Sequence, residues 1–378
     1  MDVLIVRYSE IGSKSGQVRA QMVKVLRQRV EDRLYYEDAD YDTVTDIPGR
    51  IIVETGEARE LAEKVAEMPG VASVSPAYET EPEIEAIKEE AEKIEVGESF
   101  GVRANRSGEH SFDSRDINRE VGSHIEELKG AEVDLDDPDT WIDVDVRKDR
   151  AYVFSTRLEG PGGFPVGSRD GVAALISGGI DSPVAAYEIM TRGTDIVPVY
   201  FYNRPIAAED HLLRFKSILK ELQKFNPGKK WEYYRVDMEE VNQELLDEVE
   251  TGRMIVHRKV MLQVAEKIAE KEGLRGVMTG ESMGQKSSQT PTNLEATSRA
   301  VEMPVHRPLL TRTKQGITEQ AREIGTLEDA NIESACTSLS PEDPATRIRD
   351  RKFEKIEEKV ELEELVDNAI QNSEKKVL

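Results

Sequence analysis

Apolar residues recur along this chain in changing rhythms, and the changes divide it. Residues 2–8 are a short, nearly continuous apolar run and predict a strand. Over residues 15–30 the apolar positions Val18, Met22, Val25, Leu26 and Val30 follow helical spacing. Residues 50–54 predict a second strand, 57–68 a second helix closed by Pro69-Gly70, and 71–74 a returning strand. The stretch 31–46 is too acidic for its pattern to place an element.

This alternation predicts a small α+β unit of ferredoxin-like type over residues 1–78. A second unit follows over 79–160. It reads as a helix at 82–96, a strand at 99–105, a helix at 114–128 with Ser114 as N-cap, and paired strands at 141–146 and 150–155. Six of the eight residues from Gly160 to Gly167 are Gly or Pro, which marks a hinge or boundary. The third region, 161–378, then alternates strand and helix. Residues 172–176 are uniformly apolar, as a strand buried on both faces must be. Helices are predicted at 183–192, 211–225 and 254–271, and strands at 195–202, 231–236 and 276–279. The expectation is an α/β domain with an open parallel sheet and helices on both faces. A polar helix over 347–371, with Phe353, Ile356 and Val360 at apolar spacing, closes the chain.

Composition narrows the chemistry. The 378 residues carry 75 acidic and 51 basic side chains, a formal net charge of −24. That balance argues against nucleic acid unless a local basic patch exists. The single cysteine, Cys336, excludes an internal disulfide framework and a four-cysteine metal site. No apolar run approaches the ~20 residues that span a bilayer. The N-terminus lacks the pattern of a signal peptide, so the expectation is a cytoplasmic protein with no membrane partner.

The most informative segment is Leu175-Ile176-Ser177-Gly178-Gly179-Ile180-Asp181-Ser182-Pro183. A buried strand ends at Ile176, and Ser182 with Pro183 suits the cap and first turn of a helix. Between them two glycines let the backbone approach a ligand, and free N–H groups at the helix start favour an anion. Asp181 would repel a bare phosphate, and makes sense as the holder of Mg²⁺ that in turn holds phosphate oxygens. The competing reading is an ordinary strand–turn–helix connection; the flanking strand and helix favour the phosphate site. The Gly-Lys-Ser/Thr ending of a Walker A loop is absent.

The loop Ser177-Gly178-Gly179-Ile180-Asp181-Ser182 resembles the SGGxDS loop of the PP-loop ATP pyrophosphatases. More narrowly, four stretches look like the tRNA 4-thiouridine synthases, the tRNA sulfurtransferases. They are Arg7 to Lys14, Gly163 to Gly167 before the loop, Thr279 to Thr290, and Arg307-Pro308-Leu309-Leu310 with Lys314; Cys336 also fits. The resemblance covers nearly the whole chain. It implies a ferredoxin-like domain, a THUMP RNA-binding domain and a PP-loop catalytic domain, without the rhodanese domain that some relatives carry. The implied reaction uses ATP and Mg²⁺ to adenylate the C4 oxygen of uridine 8 in tRNA, then replaces it with sulfur. Asp181, Lys314 and Cys336 are the implied catalytic residues, with Asp181 as metal ligand. Leu175, Ile176, Ser177, Gly178, Gly179, Asp181, Ser182, Tyr200, Phe201, Gly280 and Gln289 are the implied nucleotide contacts. Arg258 and Lys259 fall near a further such position, and the register between them stays open. For RNA the candidates are Arg103, Arg106, His110, Phe112, Arg115 and Arg119, the most basic part of an acidic domain. The partners implied are tRNA and an external sulfur donor, either sulfide or a persulfide carrier, and a homodimer is implied by resemblance alone. A link to thiamine thiazole sulfur supply is implied in the same way. Two alternatives stay open on the residues: an adenylating synthetase acting on a small metabolite, and a non-catalytic tRNA-binding protein.

Overall fold

A computed structural model describes residues 1–204, 209–286, 289–328, 356 and 358–378. The chain divides into two compact units, Met1–Phe164 and Pro165–Leu378.

The first unit runs β1 (Val3–Arg7), α1 (Gly16–Tyr36), β2 (Thr43–Ile47), β3 (Arg50–Glu54), α2 (Ala58–Ala66), β4 (Ser73–Thr80), α3 (Ile84–Glu92), β5 (Ser99–Arg106), α4 (Ser114–Lys129), β6 (Glu132–Val133), β7 (Thr140–Val146), β8 (Ala151–Phe154) and β9 (Leu158–Glu159). One sheet of order β2-β3-β1-β4-β8-β7-β5-β6 results, with β9 added to β4. Strand β4 is what makes it continuous. Its first half pairs with β1 and its second half with β8, so the division drawn at residue 78 falls inside it. Alternation sends Leu4, Val6, Ile51, Val53 and Val74 to a core under α1 and α2. Phe100, Val102, Ile142, Val144 and Val153 go to a second core under α3 and α4.

Two expectations change here. The acidic stretch 31–46 holds the end of α1 and most of β2, whose side chains are largely exposed, so no apolar rhythm announces it. Helix α4 is capped by Asp113, not Ser114. Asp113 accepts from the Arg115 and Asp116 N–H groups, and Asp116 accepts from the Asp113 N–H at 2.9 Å, a reciprocal capping box.

The second unit runs β10 (Phe164–Leu175), α5 (Asp181–Met190), β11 (Arg192–Tyr202), α6 (Glu209–Gln223), β12 (Glu232–Asp237), α7 (Glu239–Glu248), α8 (Arg253–Glu272), β13 (Val277–Met278), α9 (Pro291–Ser298), β14 (Val305–His306), α10 (Lys314–Glu323), α11 (Leu362–Gln371) and β15 (Ser373–Val377). The sheet order is β14-β13-β10-β11-β12-β15. The pairs β14–β13, β13–β10 and β11–β12 are parallel. Both faces are covered. Val172, Ala174 and Ile176 enter the core that includes Phe215 and Ile317, while Ala173 and Leu175 enter the core of α7, α8 and α11. The Gly/Pro-rich segment contributes Phe164, Pro165, Val166 and Gly167 to β10, with Gly167 at φ +86°. Helix α7 and strand β15 were not anticipated. The strand is short, polar and exposed, and it pairs antiparallel with β12 at the sheet edge. Phe353 lies outside the described residues.

Phe215 is fully buried, with its ring 4.5 Å from that of Tyr200 and 5.1 Å from that of Tyr233. Phe215→Ala should cost about 3–5 kcal/mol in the unfolding transition of the second unit, measured by urea denaturation; a cost under about 1 kcal/mol would show that this core is not close-packed.

Candidate active site

Strand β10 leaves the sheet at its carboxyl edge, where Ile176 donates its N–H to the Val199 carbonyl at 3.1 Å. The loop beyond it is tied by two serines. Ser182 Oγ accepts the Ser177 N–H at 2.9 Å and lies 3.1 Å from Ser177 Oγ. Ser177 Oγ in turn accepts the Gly179 N–H at 3.3 Å. Ser182 therefore does not cap α5, as the sequence suggested. The cap position is Ile180, with no side-chain acceptor, and Ser182 spends its hydroxyl on closing the loop. The N–H groups of Gly178 and Ile180 have no partner among the described residues. Together with the positive end of α5 they form an anion seat.

A second loop, after β13, lies against the first. A Cβ on Gly280 would stand 2.7 Å from both the N and the Cα of Ser182, so only glycine permits the approach. A second helix start, that of α10, also reaches the loop. Thr313 caps it by accepting the Gly316 N–H, and its first residue, Lys314, donates Nζ to Asp181 Oδ1 at 2.5 Å. Among the described residues no cluster of three His, Cys, Asp or Glu side chains could hold a metal.

A cavity opens beside these groups. Its apolar wall is Leu175, Phe201, Met254, Met261 and Leu262. Its polar wall is Ser177, Asp181, Ser182, Asn203, His257, Arg258, Thr279, Glu281, Lys286 and Gln289. Along α8 the lining positions 254, 257, 258, 261 and 262 follow the 3-4 spacing of one helix face. Glu281 is 5% exposed and answers two guanidiniums. It pairs with Arg258, and accepts from Arg307 Nε at 2.7 Å and Thr279 Oγ1 at 3.0 Å. Burial alone would raise its pKa, but Arg258 and Arg307 outweigh burial and hold the carboxyl below its usual range. His257 is fully buried and donates Nε2–H to Asn203 Oδ1 at 3.0 Å. Burial, helped by the neighbouring Arg258 charge, pushes it down to about 4, so the ring is neutral. Three polar atoms of the lining residues are buried without a partner among the described residues: His257 Nδ1, Arg258 Nε and Gln289 Oε1.

Of the nucleotide candidates, Leu175, Ile176, Ser177, Gly179, Asp181, Ser182, Phe201, Arg258, Gly280 and Gln289 line this one cavity, and Gly178 sits within its loop. Tyr200 does not. It precedes Phe201 on β11, so alternation turns it to the opposite face, where it stacks on Phe215. Of the two candidates on α8, Arg258 lines the cavity; Lys259 is buried and does not. Cys336 lies outside the described residues. Asn203, His257, Met254 and Met261 were missed, although the apolar-plus-basic face of 254–262 carried the signal.

The RNA candidates lie in the first unit. Arg103 stacks over Trp141 at 4.3 Å and clamps Asp143 with two bonds of 3.2 and 3.0 Å. Arg106 donates to the Gly108 carbonyl, and His110 stacks on Phe112 at 5.4 Å. Arg119 pairs with Asp116 and Glu120, and Arg115 is exposed at the start of α4.

Comparison with known proteins completes the picture. Residues 167–362 match the family described as Thiamine biosynthesis protein (ThiI). Residues 81–156 match the THUMP domain, and residues 3–75 the ThiI ferredoxin-like domain. A probable tRNA sulfurtransferase of Halobacterium salinarum is 38% identical, over 91% of this chain and 90% of that protein. One from Thermococcus kodakarensis is 34% identical, over 94% and 96%. A crystal structure of a 4-thiouridine synthetase–RNA complex with bound ATP matches with a TM-score of 0.90 and 31% identity, covering 100% of both chains. With its catalytic-region match spanning more than half its length and such relatives aligning almost end to end, the chain belongs to the ThiI family.

Proposed function

We propose that this chain is an ATP-dependent tRNA sulfurtransferase that converts uridine 8 of tRNA to 4-thiouridine. The observation that carries the reading is the meeting of Asp181 and Lys314, at two helix starts, beside a loop with unpartnered N–H groups. A polyphosphate suits that point, because both helix dipoles and the loop N–H groups favour negative charge there. The apolar wall and the three partnerless polar atoms suit a base and ribose. The related 4-thiouridine synthetase, crystallised with RNA and ATP, supports both substrates.

The chemistry must solve a leaving-group problem. The uridine C4 oxygen attacks the α-phosphorus of ATP and forms an O–P bond. The α–β bridge breaks, and pyrophosphate leaves with the bonding pair. The sulfur of a hydrosulfide donor then attacks C4, loses its proton to solvent, and AMP departs as C4=S forms. The loop N–H groups hold the phosphate oxygens, and Lys314 neutralises charge that develops on the transferring phosphoryl group. Mg²⁺ fits the donor set, because Asp181 offers one carboxylate and the phosphates supply the remaining oxygens. When bound it would neutralise phosphate charge there. Where the sulfur arrives as a persulfide, Cys336 is the one thiol of the chain that could carry it, and an external thiol must then resolve it. The family description also supports a role for such sulfur transfer in thiamine biosynthesis.

Unmodified tRNA incubated with Mg²⁺–ATP and sulfide should gain the near-ultraviolet absorbance of 4-thiouridine. Asp181→Asn and Lys314→Ala should each lower kcat by about 10²-fold or more. Unchanged turnover in both would remove the anion seat from the mechanism. Gly280→Ala should weaken ATP binding at least about tenfold in calorimetry, because the added methyl displaces Ser182 and opens the loop. A pH test addresses His257. In the unfolded chain the imidazole titrates near its ordinary value of about 6.5, and in the folded chain at about 4. The depressed folded value means that its contribution to stability is complete above about 6.5 and is lost as pH falls towards 4. His257→Gln keeps a donor for Asn203 without a titrating ring, so it should flatten that part of the stability profile; an unaltered profile would refute the assignment.

A further inference from the structure

The face of the nine-stranded sheet turned away from α1 to α4 carries charge that the nucleotide site does not use. Residues of β1 alternate, so Val3, Ile5 and Arg7 turn away from the helices that cover Leu4 and Val6. Ile52, Ala77, Tyr152 and Phe154 join Val3 and Ile5 in a small apolar cluster on that face. Three strands separate β3 from β7, yet Arg50 of β3 pairs with Asp145 of β7. The sheet is thus curled into a trough, and arginines gather within it.

Arg7 and Arg50 are direct cross-strand partners. Arg7 is 8% exposed. Its Nη1 donates to Ser75 Oγ at 2.9 Å, its guanidinium lies 4.9 Å from the Phe154 ring centre, and its Nε has no partner among the described residues. No carboxylate pairs with it among the described residues. Asp145, 4% exposed, is shared between Arg50 and Arg147, the latter through Nε at 3.2 Å. Arg157, just before β9, is exposed and makes no ion pair or hydrogen bond among the described residues. Among the described residues the other acids on this face near the group are Asp143, already clamped by Arg103, the exposed Glu159, and Glu79, which pairs with Arg150. Counting Arg103 and Arg150, six arginines face four carboxylates among the described residues. This local excess of two positive charges stands inside a unit whose formal net charge is −17.

Such an excess costs stability. Burial first, then Arg157, lowers Arg7 to about 10; burial first, then Arg147, lowers Arg50 to about 9. Buried cations without counterions persist when a ligand supplies the missing charge. Forked guanidiniums fit phosphate oxygens better than any other common anion except carboxylate. We propose that Arg7, Arg50, Arg147 and Arg157 form a phosphate-binding site in this trough, filled by a backbone phosphate of the RNA substrate. The assignment to RNA rests on the function proposed above. Two features favour a polymer over a free anion: the site grades from buried Arg7 to exposed Arg157, and the same face carries the Arg103–Trp141 stack, which offers a platform to a base or sugar.

The test is the affinity of fluorescently labelled, unmodified tRNA for the full chain across a potassium chloride series. Arg157→Ala should weaken binding roughly three- to tenfold and reduce the slope of log affinity against log salt by about 0.7–0.9. Arg7→Met should do the same, while its melting temperature stays level or rises, because a buried unneutralised charge is gone. KM for tRNA should rise in both variants with kcat retained. Wild-type affinity and slope in Arg157→Ala would overturn the proposal. So would an Arg7→Met variant that melts lower yet binds tRNA normally, since Arg7 would then be structural. If inorganic phosphate raises the melting temperature of the wild type but not of Arg157→Ala, with tRNA affinity equal in both, the site takes free phosphate and the RNA assignment falls. A wild type that binds tRNA through these arginines but forms no 4-thiouridine would sink the thiolation reading and leave this site standing. A wild type that binds no tRNA overturns both.

Discussion

The proposed nucleotide site depends on one hydroxyl. Ser182 Oγ accepts the N–H of Ser177, five residues back, and that bond folds the loop so that the Gly178 and Ile180 N–H groups are left without partners among the described residues. A side-chain cap at the start of α5 would have satisfied the helix and dispersed the positive end of its dipole. Here the cap is withheld and the serine is used to hold the loop shut. The unmet donors cost stability in the empty protein and become binding energy when an anion arrives. Gly280 belongs to the same constraint, since the second loop can hold its place only where no side chain intervenes.

The same logic extends along α8. A helix in the core of an α/β domain gains most from apolar residues, and Val256, Val260, Val264 and Ile268 supply them. Its cavity face instead carries His257 and Arg258, both with buried atoms that lack partners among the described residues. Arg258 stays charged there because Glu281 answers it, and Glu281 can answer two guanidiniums because Thr279 and Arg307 fix its position. An isolated pair of this kind is often no more stable than a hydrophobic substitute. What it gains is geometry: a cation and a neutral imidazole held at fixed points on a rigid helix, beside a cavity.

How much of this was legible in the sequence follows from which physical signals are local. The loop was readable because strand, glycines and helix start are contiguous, so chain order alone brings Ser177, Asp181 and Ser182 together. Phe201 was readable as the end of a strand, but Tyr200 was grouped with it, because an all-apolar strand buried on both faces gives no alternation to separate neighbours. Arg258 could not be told from Lys259 for a related reason: one helical step of 100° decides which side chain faces the cavity, and the polar pattern there is continuous. The role of Ser182 was misread because capping and loop closure use the same residue type at the same place. Strand β15 and the end of α1 with β2 were invisible because exposed, charged segments carry no hydrophobic rhythm. The four arginines of the trough come from β1, β3 and the turns around β7 and β9. Only the curl of the sheet unites them.

The acidity of the chain then acquires a function consistent with both sites. A formal charge of −24 repels a polyanion at long range, so non-specific attraction to nucleic acid is suppressed. Against that background an anion can be held only where local positive charge outweighs the global field. Asp181 with Lys314 at the helix starts, and Arg7 with Arg50 in the trough, meet that condition by different means. The first uses helix ends and loop N–H groups, which carry no net charge and so escape the cost of burying an ion. The second concentrates full charges and accepts that cost, relieved in part by Asp145. A compact nucleotide can be enclosed by dipoles, whereas a polymer crossing an acidic surface needs charge strong enough to be felt beyond a Debye length of about 8 Å. The division between dipoles for the small anion and guanidiniums for the large one therefore follows from the electrostatics of an acidic protein that must still bind RNA.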